Sequence, residues 1–158
     1  MDAAELAELA IEIVRSAPYG FVVTAEEAGP PSGRLVQHLL VDARAKVVFS
    51  TSPATRKAQR IEATGSMTYL VEDRQRFAYV SLSGPAKLET ALAARREHWE
   101  EGLRAFFPDG AESEDFVLVV METERIEMWS ATDGPHPDPY GLAAVTLART
   151  DAGWQRVR

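Results

Sequence analysis

The chain contains no cysteine. Disulfides, thiolate metal centres and cysteine nucleophiles are therefore excluded. Positive charge is scarce: 17 Lys and Arg stand against 24 Asp and Glu, a net charge of −7. A surface that tracks a nucleic-acid backbone needs the opposite excess, so no nucleic acid is expected as a partner. No apolar run approaches the roughly 20 residues needed to span a bilayer as a helix, and no membrane association is expected. Only three histidines occur, His38, His98 and His136, with no pair at i,i+4. That is no zinc pattern, and no metal is expected. A G-x-S-x-G elbow is missing, which argues against serine hydrolysis. No G-x-G-x-x-G follows a strand, which argues against a Rossmann sheet. The opening "MDAAELAELA" is acidic and does not read as a signal peptide, so the cytoplasm is the expected compartment.

What is present fits one soluble domain over residues 1–158, with 46% hydrophobic and 26% charged residues. Residues 3–16 predict an amphipathic helix, with Leu6, Leu9, Ala10 and Ile13 on one face and Glu5, Glu8 and Glu12 on the other. "YGFVVTAEE" predicts a strand, and "AGPPSG" a loop. "RLVQHLLVD" (34–42) predicts one strand that pairs with "KVVFSTS" (46–52) through a short hairpin. A helix from about Thr55 to Ala63 is stopped by Gly65. "SMTYLVED" and "RFAYVSLSGPAKLE" predict two more strands, the second bent at Gly84-Pro85. Its alternation sends Phe77, Tyr79 and Ser81 one way and Ala78, Val80 and Leu82 the other. A helix over 91–104 carries Leu92, Trp99 and Leu103 on one stripe, extended by Phe106. Residues 115–131 predict one long strand or two joined ones. "TDGPHPDPYG" predicts a loop, and 142–158 a final hairpin turned at Asp151–Gly153. Six or more strands with interspersed helices, mostly joined by short turns, predict an antiparallel α+β domain built on a barrel.

The stretch "FSTSPATRKAQRIEAT" (49–64) places two cations, Arg56 and Lys57, at the start of a helix. The macrodipole is positive there, so basic residues are out of place unless they serve something. One reading is a solvated pair on a short helix. The other is an anion site, because free N–H groups at a helix start already favour a phosphate. Thr51, Ser52 and Thr55 add hydroxyl donors, and the expected hairpin brings Arg34 to the same end as Ser50–Ser52.

These phrases also resemble a family. "RLVQHL" followed by "VVFSTSPATRKAQRIEAT", then "RFAYVSLSGPAKLE", then "ERIEMWSA", resembles the pyridoxamine 5′-phosphate oxidase-like FMN-binding split barrels. The spacing from Gly84-Pro85-Ala86 through Trp99 to "FFPDG" is most similar to their general stress protein branch. The resemblance spans about residues 5–131, and with the strand count it implies an α+β fold, a six-stranded antiparallel split β-barrel with flanking helices. It implies that Arg34 and Lys57 grip the FMN phosphate, with Arg56 assisting. Leu35 and Val36 would offer backbone groups to the isoalloxazine edge, and Ser50 and Thr51 would lie beside the ribityl chain and ring. It also implies a homodimer with sites at the subunit interface. Tyr79, where relatives often carry Gln, and Trp129 would come from the second subunit.

True pyridoxamine phosphate oxidases follow their Trp with an Arg-x-His loop for the substrate phosphate. Here "SATDGPHPDPYG" has His136 but no Arg until Arg149, and its Asp133 and Asp138 repel phosphate. Oxidation of vitamin B6 is therefore not expected. The implied function is an FMN-dependent oxidoreductase acting on a small molecule. The alternatives are a non-catalytic flavin-binding or stress-response protein and a deazaflavin (F420)-dependent reductase; related barrels also occur without a cofactor.

Overall fold

Asp2 begins the ordered chain as a helix cap. Its carboxylate accepts the Ala4 and Glu5 N–H groups at 2.9 Å, while the Glu5 carboxylate accepts the Asp2 N–H at 2.7 Å. This reciprocal box starts α1 (Ala3–Ser16). The expected stripe is the one that packs: Leu6, Ala10 and Ile13 are buried and Leu9 lies against them, with Ile11 and Val14 widening the face. The fold is a computed structural model that describes residues 1–136 and 141–157. No helix among them is long and apolar enough to cross a membrane.

After α1 come β1 (Gly20–Thr24), β2 (Ser32–Val36), β3 (His38–Val41) and β4 (Val47–Thr51), then α2 (Arg56–Thr64). The chain continues through β5 (Ser66–Asp73), β6 (Ala78–Glu89), α3 (Leu92–Glu97) and a 3-10 turn (Glu101–Ala105). It ends with β7 (Val117–Met121), β8 (Arg125–Ser130), β9 (Val145–Thr150) and β10 (Gly153–Arg156). All pairings are antiparallel, and the sheet curls into a split barrel around one core. One path runs β10-β9-β8-β6-β5-β1-β2 and a branch runs β6-β7-β4-β3.

The antiparallel split barrel is the expected fold, but the described residues hold ten strands rather than six. One cause is that residues 34–42 are not one strand. β2 pairs with β1, ending at Gly20↔Val36, and the chain then crosses at Gln37 to the other branch, where β3 pairs with β4. Arg34 therefore sits opposite Val22, not in a hairpin with 46–52. The helix over 91–104 is also interrupted. It stops at Glu97, and the 3-10 turn resumes at Glu101. The break lets Trp99 turn its ring edge-on to Phe116 at 5.1 Å, inside a small second core with Leu103, Phe107 and Leu118. Phe106 does not extend the stripe: it is 76% exposed, and Phe107 is buried instead.

β6 is the strand that both branches share. Its first half lies between β5 and β8, and from Ala86 onward it pairs with β7. The handover is at Gly84-Pro85, as the sequence predicts. The Gly84 backbone presses on the Glu122 carbonyl so closely that a Cβ would stand 2.0 Å from its oxygen. Glu122 N–H in turn donates to the Pro85 carbonyl at 3.0 Å. Gly84→Ala should therefore lower stability by about 1–3 kcal/mol, the usual cost of forcing atoms into a packed site. A urea midpoint equal to wild type would show that the two segments can separate at no cost.

Candidate functional site

β4 ends at Thr51 and the chain turns through Ser52–Thr55 into α2. Thr55 caps that helix: its hydroxyl donates to the Ser52 carbonyl at 2.8 Å and accepts the Ala58 N–H. Thr51, buried, shares a hydroxyl hydrogen bond of 3.0 Å with Thr55. Ser52 donates to Asp115 at 2.5 Å, tying the turn to the segment before β7. At the other end Gly65 takes a left-handed conformation, φ 69°, and closes α2. Ala58 and Ile61 face the core, which fixes where the helix start points.

Two cations stand at that start, in different surroundings. Arg56 is exposed and Lys57 half-buried. Burial lowers the Lys57 pKa, and the positive charge of Arg34 lowers it further. Among the described residues Lys57 has no ion-pair or hydrogen-bond partner for its ammonium. Arg34 reaches the same place from β2, by a route the sequence did not predict. β1 and β2 pair with each other, and α2 packs against β1, bound to it by the Arg60 Nε–H donating to the Ala25 carbonyl at 2.8 Å.

Arg34 itself is well held. One terminal nitrogen donates to Thr24 Oγ1 at 2.6 Å and the other to Glu26 Oε1 at 2.7 Å. The pair is mostly shielded, with side chains 19% and 13% exposed. Hydrogen bonding to Arg34 holds the Glu26 pKa below the usual carboxylate range, and Arg56 adds to the effect. Thr24 and Glu26 are the residues that sequence reasoning missed. The available signal was "TAEE", acidic residues just past the end of a strand whose hairpin partner carries an Arg.

Arg34, Arg56, Lys57 and Thr51 thus gather around the start of α2; Ser50, next to Thr51 on β4 and opposite Leu118, faces the second core instead. Leu35 and Val36 follow on β2, the terminal strand of its path, so one row of its backbone groups has no strand partner. Tyr79 and Trp129 are not brought to this cluster within one chain. They sit opposite each other on β6 and β8. The Arg34 row runs through Val22, Tyr69 and Leu82. Tyr79 is three strands away and three residues further along, roughly 15–20 Å over the sheet, and on its outer face. Tyr79 donates to Glu127 at 3.0 Å, and burial, with that carboxylate, pushes its phenol up to about 12. Trp129 is buried, donates to the Gly141 carbonyl at 2.7 Å and meets Phe77 edge-on.

His38 lines the barrel rather than the cluster. Its Nδ1 lies 2.8 Å from the buried Tyr69 hydroxyl, and burial lowers its pKa. Asp133 accepts from Ser130 at 2.7 Å, and Asp138 lies outside the described residues.

The sequence pattern of the family described as "Pyridoxamine 5'-phosphate oxidase like" matches residues 5–148. The chain belongs to that family. Among solved structures it is similar to a protein related to general stress protein 26 from Clostridium acetobutylicum, of the pyridoxinephosphate oxidase family. The two are 21% identical with a TM-score of 0.77, over 92% of this chain and 95% of that one. A pyridoxamine 5'-phosphate oxidase-related, FMN-binding protein from Nostoc punctiforme is 16% identical with a TM-score of 0.62, over 99% and 95%. PhzG from Burkholderia lata, solved with tetrahydrophenazine-1-carboxylic acid, is 20% identical with a TM-score of 0.68, over 94% and 86%. No curated protein sequence matches. At these identities the solved structures share the fold.

The surroundings of Lys57 have a stability consequence. Its folded pKa lies below the ordinary lysine value, so between the two the unfolded chain binds more protons. Wild-type stability then rises as pH climbs through that window. Lys57→Met keeps the apolar stem and removes the disfavoured charge. Without ligand it should melt higher than wild type at neutral pH, and the advantage should shrink as pH rises through the lowered pKa. A lower melting temperature for Lys57→Met at neutral pH would contradict this account of the site.

Proposed function

We propose that the protein binds FMN in a two-fold homodimer and acts as a flavin-dependent oxidoreductase on a small molecule in the cytoplasm. The observation that carries this reading is the half-buried Lys57 ammonium with no counter-ion among the described residues, next to Arg34. Such an arrangement costs stability on its own and becomes favourable when a phosphate lies against it. The donor set fits that group: two cations from different elements, a third at Arg56, a hydroxyl at Thr51, and the free N–H groups of a helix start. The FMN-binding relative supports the same reading.

In this reading Arg34 and Lys57 hold the phosphate, and Arg56 adds exposed charge. Thr51 flanks the ribityl chain, and the free backbone of Leu35 and Val36 meets the ring edge. When bound, the flavin supplies the electron-transfer chemistry, and the chain supplies binding and orientation. Tyr79 and Trp129 complete the site from the second subunit. The outer face supports such a dimer. Leu35 (58% exposed) and Phe21 (45% exposed) stand opposite each other, and Phe21 stands opposite Leu70, forming an apolar row in one register.

Lys57→Ala should lose FMN and keep its fold. Removing one charge-assisted contact from a part-buried site costs about 2–4 kcal/mol of binding, roughly 30- to 1,000-fold in Kd. Riboflavin, which has no phosphate, should bind both proteins alike. Fluorescence titration of the two ligands decides the matter, and equal FMN affinity in wild type and variant removes Lys57 from the site. Sedimentation of the flavin-loaded protein at micromolar concentration should show a dimer. A flavin-bound monomer would rule out a site completed across subunits.

A further inference from the structure

Arg34 is committed before any ligand arrives. Both terminal nitrogens are engaged, one with Thr24 and one with Glu26. The guanidinium keeps further N–H groups, so a phosphate can reach it, but the phosphate must then share the cation with the Glu26 carboxylate. The Thr24 contact has a neutral acceptor within a paired strand. The Glu26 contact is different in two respects. Glu26 is an anion, the same chemistry as the expected ligand. It also lies in the segment between β1 and β2, beyond the last paired residue, so no ladder holds its backbone.

We propose that Glu26 is a built-in competitor at this site: its carboxylate occupies Arg34 in the ligand-free protein and competes with the ligand's phosphate for it. This rests on the reading of Arg34 and Lys57 as phosphate-binding. The charges show why competition is the consistent description. Glu26 faces Arg34 and Arg56; it satisfies Arg34 and leaves Lys57 without a partner among the described residues. A phosphate monoester carries about −1.5 to −2 at neutral pH. It can therefore take Lys57 directly and displace Glu26 from Arg34. Glu26 thus lowers the affinity of the site for any anion that needs Arg34, and most for a doubly charged one, which its carboxylate repels more strongly. Movement of the 25–31 segment would accompany exchange, with Arg60 retaining its bond to the Ala25 carbonyl.

The test uses the full-length protein titrated with FMN, riboflavin, inorganic phosphate and acetate. Glu26→Gln keeps the side chain's size and removes its charge, and Glu26→Ala removes its reach. Both should bind FMN and phosphate on the order of tenfold more tightly than wild type, with riboflavin unchanged. Acetate affinity should rise less, because a single charge gains less when the nearby carboxylate is removed. FMN affinity that is unchanged or weaker in both variants would overturn the proposal, because Glu26 would then merely orient Arg34. An equal change for FMN and riboflavin would also overturn it, since the effect would not be at the phosphate. Should wild type bind FMN no better than riboflavin, the failure lies with the phosphate site itself. Melting temperatures of both variants establish that each is folded at the titration temperature.

Discussion

The contact of Gly84 with the Glu122 carbonyl is the constraint from which the site's geometry follows. At that point β6 leaves one branch of the sheet and joins the other. One branch leads through β5 and β1 to β2, and so to Arg34. The other leads through β7 to β4, and so to Thr51 and the start of α2. Arg34 and Lys57 are 23 positions apart in sequence on elements that never pair. They become neighbours because both branches grow from one strand. A side chain at residue 84 would push the branches apart at their root, and the cation cluster at the start of α2 lies near their tips.

The electrostatics of the cluster are those of a site built for something other than stability. Surface cations on this chain are commonly paired: Arg74 with Glu72, Arg96 with Glu112, Arg104 with Glu101. Such exposed pairs contribute little. At the α2 start the pattern reverses. Lys57 is half-buried and has no partner among the described residues, and Arg34 adds to the penalty instead of relieving it. A perturbed lysine alone is a weak argument, because structural networks also shift pKa values. Its position in the first turn of a helix, beside a second cation from another element, is what supports the proposed anion site.

Much of this was legible in sequence, for identifiable reasons. α1 was plain because its apolar spacing is a local signal. The Gly65 cap and the Gly84-Pro85 bend were plain because glycine and proline mark backbone geometry directly. The α2 start was legible because a cation pair there conflicts with the helix dipole. The split of 34–42 was not legible. Nothing in "RLVQHLLVD" breaks its apolar pattern, and only the closure of the barrel decides that Gln37 changes branches. The reasoning that joined Arg34 to Lys57 through a β2–β4 hairpin therefore reached the right neighbourhood by the wrong pairing. Glu26 was invisible for a related reason: its partner is fixed by the β1–β2 register, which a loop of Gly and Pro does not encode.

The outer face carries the remaining step. Residues on one face of a strand alternate with those on the other, so the rows that seal the barrel leave Phe21, Leu35, Tyr79 and Ser81 pointing away from it. In a protein of net charge −7, apolar side chains in register on an open face call for a cover. A second copy has the same row, and in the proposed dimer a two-fold axis would bring like rows together. The same operation would carry the Tyr79–Trp129 end of one subunit toward the other subunit's β2, whose backbone has no second strand partner among the described residues. Under that proposal, dimer formation and completion of a flavin site would be one event. A chain whose cations gather at one end of a sheet and whose aromatic pair sits at the other would need that symmetry to use both.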